Sequence, residues 1–364
     1  MRDLLLGASI CALGAGGAVA GGVERSTQSV GLLFQPGQYA ELGFSSVNPT
    51  VSGAGAGFFT GTKSGDIAGG YTTFSLGYKQ SLNDKLDLAI TLDRPVGVDV
   101  NYPTANAPYP FAGSSASITS TAITALLRYK LPSNLSVYGG LRLEQVEGNV
   151  HIVAPLLSPA FTNYRMTGAR DQSMGYVVGV AWEKPEIAAR VSLTYNSKIN
   201  HTLDTQETGL APISLPGKMK VEIPASLSLE FQSGVAANTL VFGSIRWVDW
   251  TKFAIVPPVL NTSIADYSND VVTMTLGVGH KFTDNWSGAV IVSYEKHDGT
   301  PVGNLGPTDG MRSIAVAASY QMDHIKVTGG VSYIQIGDAV TRSVGSKFTS
   351  NKAVGLGLRV GYTF

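Results

Sequence analysis

Along most of the chain apolar residues alternate with small or polar ones at period two, the geometry of a strand with two unlike faces. The pattern is cleanest at the end. Between residues 353 and 364 one phase carries Val354, Leu356, Leu358, Val360, Tyr362 and Phe364, the other Gly355, Gly357, Arg359, Gly361 and Thr363. An apolar phase held over about 11 residues is the length a tilted strand needs to cross a bilayer. Val272, Met274, Leu276, Val278 and Phe282 repeat it against Thr273, Thr275, Gly277, Gly279 and Lys281, with His280 on the apolar phase near an interface.

The same alternation predicts fourteen strands, at 38–48, 70–80, 84–98, 116–131, 134–148, 170–182, 186–198, 218–232, 236–251, 269–282, 285–297, 311–322, 324–337 and 351–364. An even number is what a single-chain bacterial barrel requires. Short turns are expected at 81–83, 132–133, 183–185, 233–235, 283–284 and 323. Long loops are expected at 49–69, 99–115, 149–169, 199–217, 252–268, 298–310 and 338–350. Short periplasmic turns facing long outer loops are the barrel signature. Tyr78, Tyr129, Trp182, Phe231, Phe282, Trp286, Tyr320 and Phe364 lie beside the short turns or the C-terminus on the outward phase, as a periplasmic aromatic girdle would. The inward phase carries Glu41, Asp87, Arg142, Glu144, Arg190, Glu222, Glu230, Lys281, Glu295 and Arg359. A hydrated or plugged lumen accommodates such charges, whereas a soluble sandwich core does not. The expected fold is all-β: a 14-stranded antiparallel transmembrane β-barrel over residues 38–364, with residues 21–37 as a short N-terminal hatch inside the lumen.

Composition narrows the function. The 26 basic and 26 acidic residues of this 364-residue chain cancel, so nothing points to nucleic acid. Gly is abundant, 43 residues against a usual share of about 7%, and suits tight turns and crowded strands. Residues 1–20 read as a secretory signal peptide: Arg2 is the basic start, Leu4 to Leu13 the apolar run, and Ala18-Val19-Ala20 the cleavage site, between Ala20 and Gly21. Cys11, the sole cysteine, leaves with it, which removes disulfide and thiol chemistry; bulky Ile10 before it argues against lipidation. Beyond the signal there is no run of 18 apolar residues to make a membrane helix. The expected location is the outer membrane of a Gram-negative bacterium. Outer-membrane lipid is then one partner, and the barrel-assembly machinery, engaging the C-terminal strand that ends at Phe364, is another.

These residues resemble the FadL-type transporters of long-chain fatty acids and other hydrophobic compounds. The likeness spans essentially the whole mature chain. It is most specific in Gly37-Gln38-Tyr39-Ala40-Glu41-Leu42 leading to Asn48-Pro49-Thr50-Val51-Ser52-Gly53, in Pro307-Thr308-Asp309-Gly310-Met311-Arg312-Ser313, in Leu215-Pro216 before the eighth strand, and in the spacing of Trp247, Trp250 and Phe253. The resemblance implies passive uptake of a hydrophobic small molecule, fatty acids by default: loop capture, binding in the lumen, and lateral release through a gap at a kink in the third strand. Here that strand meets Asp93-Arg94-Pro95-Val96-Gly97. Pro95 cannot donate to a neighbouring strand and Gly97 tolerates a bend, so either the ladder opens locally or an ordinary bulge forms near the rim. Where the family carries Asn-Pro-Ala in its hatch, this chain has Ser29-Val30-Gly31-Leu32-Leu33-Phe34, in a hatch of only about 17 residues. Leu32, Leu33 and Phe34 either cap the ligand pocket or anchor the segment to the inner wall.

Other candidate chemistry is sparse. His151, His201 and His297 fall in or beside outer loops, His280 on an outward phase and His324 at a periplasmic turn, with no nucleophile or metal signature around them. Gly53-Ala54-Gly55-Ala56-Gly57 has no βαβ unit around it and reads as an outer loop, not a phosphate loop. Neither a cofactor nor a metal is expected. Arg312 either pairs with Asp309 or receives a ligand carboxylate bidentately. Phe58, Phe59, Leu156, Leu157 and Phe161 are apolar for outer loops and mark either a binding surface or loop-on-loop packing. The alternatives to a transporter are a general diffusion pore for small polar solutes and, third, a barrel enzyme.

Overall fold

The protein is described by a computed structural model covering residues 23–364; the signal-peptide expectation, with Cys11, Ala20 and Gly21, lies outside the described residues. Fourteen antiparallel strands close into a barrel. They are β1 (Tyr39–Thr50), β2 (Tyr71–Ser81), β3 (Leu86–Asp93 and Gly97–Asn101), β4 (Ser115–Lys130), β5 (Leu135–Ile152), β6 (Tyr164–Lys184), β7 (Ala189–Asn196 and Ile199–Thr208), β8 (Leu215–Ile223 and Ser226–Ala236), β9 (Thr239–Val248), β10 (Val271–Lys281), β11 (Trp286–Glu295), β12 (Met311–Met322), β13 (Ile325–Ile336) and β14 (Lys352–Thr363). β14 closes on β1 from Tyr39↔Thr363 to Thr50↔Lys352, so neither end of the sheet is left as an edge in lipid, where an unpaired backbone group is costly.

The alternation works as expected along the membrane band. Val272, Met274, Leu276 and Val278 of β10 are exposed to the outside, while Gly277 faces inward beneath the buried ring of Phe242. A Cβ at Gly277 would lie 2.4 Å from that ring, so the small inner residue is what lets the ring fill the periplasmic half of the barrel. Tyr129, Trp182, Phe282, Trp286, Tyr320 and Phe364 are exposed beside the short turns, with the Trp286 and Tyr320 rings 4.8 Å apart. The β4–β5 hairpin turns through Ser133 and Asn134, both left-handed at φ 66° and 63°, which matches the twist of the flanking strands.

The outer half departs from expectation. About half of the loop expected at 149–169 and most of that expected at 199–217 are strand: β5 runs to Ile152, β6 starts at Tyr164, and β7 and β8 continue from Ile199 to Thr208 and from Leu215 to Ile223. Alternation persists there, but the outward residues Asn200, Thr202, Asp204 and Gln206 are polar because they face water above the lipid. β7 and β8 are also each interrupted at the same height, and the interruption flips the phase. Below it Arg190, Ser192, Thr194 and Asn196 of β7 face in; above it Ile199, His201, Leu203 and Thr205 do. The same flip turns Glu222 outward to Lys198, 2.9 Å away, rather than into the lumen. The turn expected at 233–235 is strand as far as Ala236, with a register shift between Gly234 and Ala236. Outside the barrel, Ser52–Ala54, Lys63–Asp66, Ala339–Val340 and Lys347–Phe348 make a small sheet that ties the first outer loop to the last.

Candidate functional site

The N-terminal segment from Val23 to Gly37 runs inside the wall and is tied to inward side chains of several strands. Arg246 of β9 donates from Nε to both oxygens of Glu24 at 3.0 and 3.1 Å. Ser26 donates to Asp93 of β3 at 2.6 Å and Ser29 to Glu230 of β8 at 2.6 Å; Arg142 of β5 donates to Gln28. Buried polar groups require such partners. At the lower end Lys79 donates to the Gly37 carbonyl at 2.8 Å. Phe34 lies between the guanidinium groups of Arg128 and Arg190, 4.6 and 4.4 Å from its ring centroid, with Tyr138 edge-on. Of the two roles weighed for the Leu32-Leu33-Phe34 run, this geometry gives Phe34 an anchoring contact, while Leu32 and Leu33 line the luminal cavity.

Strand β3 is interrupted between Asp93 and Gly97. Its lower half pairs with β2 from Ser81↔Asp87 up to Leu76↔Leu92. Above that level no ladder joins Tyr71–Ser75 to β3 among the described residues; contact resumes only at Ala68↔Val100. The N-terminal segment takes up the backbone groups freed at the break. The Arg25 amide donates to the Pro95 carbonyl at 2.7 Å, the Gly97 amide donates to Val23 at 2.8 Å, and the Ser120 hydroxyl both accepts from the Val96 amide and donates to its carbonyl. Cations cover the gap: Arg25 sits 3.9 Å over the Tyr71 ring and Arg94 5.0 Å over Phe74. A Cβ at Gly97 would lie 2.6 Å from Arg25 Nε, so a larger residue there would displace the Arg25 side chain from the break.

Three cavities follow one another along this segment. An outer one of about 280 Å³ lies among the loops and is walled by Val23, Val98, Ile118, Phe253, Ile255, Tyr267 and Leu305. A smaller one of about 90 Å³ shares Val23, Val98, Tyr267 and Leu305 with it and reaches Tyr71, Gly97 and Asp99 at the wall break. The luminal one, of about 220 Å³, shares Glu24 and Arg25 with the second and extends to Phe74, Asp93 and Arg94. Their charges differ. Arg25, Arg94, Arg142, Arg190, Arg246 and Arg359 line the luminal cavity with Glu24, Glu41, Asp93 and Glu230. Asp266, Asp270, Glu295, Asp298 and Asp309 line the outer one, against Lys296 and Arg342. Burial pushes the Tyr267 hydroxyl up, with the Asp266 charge adding to it, so the ring between the two outer cavities stays neutral.

Not every expected residue joins this path. Arg312 is exposed on the outward phase, because Met311 and Ser313 are the neighbours that face the lumen. Asp309 does not pair with it: its carboxylate accepts from His297 at 2.9 Å and from the amides of Asp298 and Gly299. Phe59, Leu157 and Phe161 pack against the core beneath the loops, and Phe58 and Leu156 stand exposed at 90% and 66%; none of the five lines any of the three cavities. His201 is not at the surface but buried, its Nδ1 2.8 Å from Asp171, where β6 and β7 part between Gly168↔Thr205 and Val177↔Asn196. Val23, Tyr267 and Glu295 were not expected in a site. The sequence puts Glu295 on the inward phase, but residues so far apart in the chain carry no local signal that they meet.

A closed barrel of this strand number, with its own N-terminal chain in the lumen and cavities leading from the outer loops to a break in the wall, defines an outer-membrane transport barrel. The chain belongs to the family described as outer membrane protein transport protein (OMPP1/FadL/TodX), whose model matches residues 32–303. Among solved structures it is similar to a FadL homologue of Pseudomonas aeruginosa, at 16% identity and a TM-score of 0.77 over 97% of this chain and 98% of that one. It is also similar to the toluene transporter TodX of Pseudomonas putida, at 14% identity and a TM-score of 0.68 over 97% of both chains. A third is the toluene transporter TbuX of Ralstonia pickettii, at 13% identity and a TM-score of 0.65 over 97% of both. No curated protein matches the sequence. Membership makes the chain an outer-membrane protein of the Gram-negative type that takes up hydrophobic molecules, in a family of transporters and channels rather than enzymes.

Proposed function

We propose that the chain takes up long-chain fatty acids without energy input: the outer loops capture the ligand, the luminal cavity receives it, and it leaves sideways at the interruption of β3. The observation that carries this reading is the series of three cavities ending at a wall break spanned by Val23–Arg25. Residues 21–37 then act as the hatch, with Leu32 and Leu33 against the ligand and Phe34 as the anchor. Asp93, Arg94, Pro95 and Gly97 form the rim of the exit. The arginines of the luminal cavity suit a carboxylate end, which a guanidinium binds bidentately. Residues 1–20 direct export, and the strand ending at Phe364 engages the assembly machinery.

Replacing Pro95 and Gly97 together with Val should lower uptake of a labelled fatty acid by intact cells while the barrel still inserts. Uptake equal to that of the unaltered chain would remove the lateral exit. In a planar bilayer the purified chain should conduct little, because its lumen is occupied; large steady conductance would favour a diffusion pore.

A second reading, uptake of uncharged hydrophobic compounds, is favoured by the acidic lining of the outer cavity, where both cations are already paired: Lys296 with Asp298 at 3.0 Å, and Arg342 with Asp266. A carboxylate entering there meets like charge. The two structures named above as toluene transporters point the same way. Parallel uptake of labelled palmitate and labelled toluene separates the two.

A further inference from the structure

Beside the outer cavity one buried polar atom has no hydrogen-bond partner among the described residues. Glu295 ends β11 with 3% of its surface exposed and lines the inner end of a cavity walled by Val23, Val98, Ile118, Phe253, Tyr267 and Leu305. Its Oε1 accepts from the Thr273 hydroxyl at 2.7 Å, while its buried Oε2 has no hydrogen-bond partner. Its cross-strand neighbours Thr273 and Met311 line the luminal cavity, so Glu295 stands where the outer and luminal spaces adjoin. A buried carboxyl oxygen without a partner is unfavourable until a donor reaches it.

We propose that Glu295 is a specificity-determining residue that selects hydrophobic molecules carrying a hydrogen-bond donor, such as an aromatic alcohol. This rests on the second uptake reading above, of uncharged hydrophobic compounds, and names that ligand class more narrowly. An O–H directed at Oε2 completes the pairing of the carboxyl group while the ring fills the apolar walls. A plain hydrocarbon fills the same walls but leaves Oε2 bare. A carboxylate of the same shape offers no donor for Oε2.

The test is binding of three probes of matched shape, 4-methylphenol, toluene and 4-methylbenzoate, to the purified full chain in lipid nanodiscs, with empty nanodiscs subtracted. 4-Methylphenol should bind about tenfold tighter than toluene, the worth of one buried hydrogen bond to a carboxyl oxygen, and 4-methylbenzoate weakest. Glu295→Leu should bring 4-methylphenol and toluene within about twofold of each other. Glu295→Gln keeps an acceptor oxygen and adds an amide donor, so it should hold the preference for the phenol and raise 4-methylbenzoate several-fold. A folded Leu variant with an unchanged phenol-to-toluene ratio would overturn the proposal. If the Leu variant does not fold, failure of the Gln variant to raise 4-methylbenzoate overturns it equally. Toluene binding without the wild-type order overturns the role of Glu295 alone; binding of none of the three overturns the second uptake reading with it.

Discussion

The barrel has two kinds of wall. From β9 through β14 each ladder is continuous, from Thr239↔His280 of the β9–β10 pair to Ile325↔Tyr362 of the β13–β14 pair, without a register shift. On the other side β3, β7 and β8 are each split, and β2 parts from β3, and β6 from β7, over several residues. The continuous arc puts apolar side chains to lipid and mostly small or polar ones inward, with Phe242, Ile291 and Ile334 as buried exceptions. The split side must close its openings with side chains: Ser120 and Arg25 at the β3 break, His201 and Asp171 between β6 and β7. Continuous pairing is thus concentrated in one arc, and the wall break that the cavities reach lies in the other.

The largest effect should come from breaking the rule of the continuous arc. Leu356, half exposed on the lipid face of β14, replaced by Arg puts a charge into hydrocarbon and should lower stability by about 2–4 kcal/mol. Thr202→Arg, on the outward face of β7 above its interruption, faces water and should cost almost nothing. Urea unfolding of both variants in lipid vesicles measures the difference; equal losses would mean that the split side is also embedded in hydrocarbon at that height.

On the split side the sharpest probe is Ser120→Ala. The hydroxyl serves both the amide and the carbonyl of Val96 and is buried, so its removal leaves two backbone groups unpaired, a loss of about 1–3 kcal/mol. Amide exchange of residues 94–98 should accelerate with that of β10 unchanged. Exchange that rises uniformly around the barrel would instead make the break an ordinary part of the wall.

The two walls were unequally legible in the sequence. Period-two alternation located β10 to β14 closely, because nothing there competes with the pattern. It also found the Pro95 and Gly97 irregularity, since Pro and Gly carry their backbone consequences with them. It fails at β7 and β8, where the interruption inverts inside and outside: the phase of the lower segment puts Glu222 in the lumen, and His201 reads as an outer-loop residue. The outer strand extensions were read as loops because an apolar outward phase marks only what touches lipid. Arg312 shows the same limit at one residue, because a shift of one position in the phase exchanges lumen for exterior. The cavities escaped detection altogether, since Val23, Tyr267 and Glu295 meet only through long-range pairing.

Smaller effects should separate the loop walls of the outer cavity from the barrel beneath. Glu207 is fully buried and accepts from the Tyr164 hydroxyl and from the amides of Val259 and Leu260, at 2.8, 2.8 and 2.9 Å. Glu207→Gln turns one acceptor into a donor and should cost about 1 kcal/mol, appearing as faster exchange in residues 253–267 and weaker ligand binding, with the barrel's unfolding midpoint nearly unmoved. A full-sized shift of that midpoint would mean that the loop and the wall unfold as one unit.

The smallest effect is a pH dependence at the mouth. Burial pushes the Asp266 carboxyl up, but hydrogen bonds from Arg342 and Ser263, together with the Arg342 charge, outweigh it and hold the group below its ordinary 3.8. A depressed carboxyl stabilises the fold above its ordinary value and loses that contribution as the pH falls through the depressed one. The clip between residues 252–268 and the last outer loop should therefore hold at neutral pH and loosen only below about pH 4. Its contribution should be about 0.5 kcal/mol or less, because Arg342 is substantially exposed and water screens the pair. Exchange in residues 339–348 measured from pH 6 downward should rise in the parent chain at the acid end. In Asp266→Asn it should already be raised at pH 6 and flat with pH. A parent chain as flat as the variant would show that the sheet joining the first and last outer loops, rather than this pair, holds the mouth of the cavity.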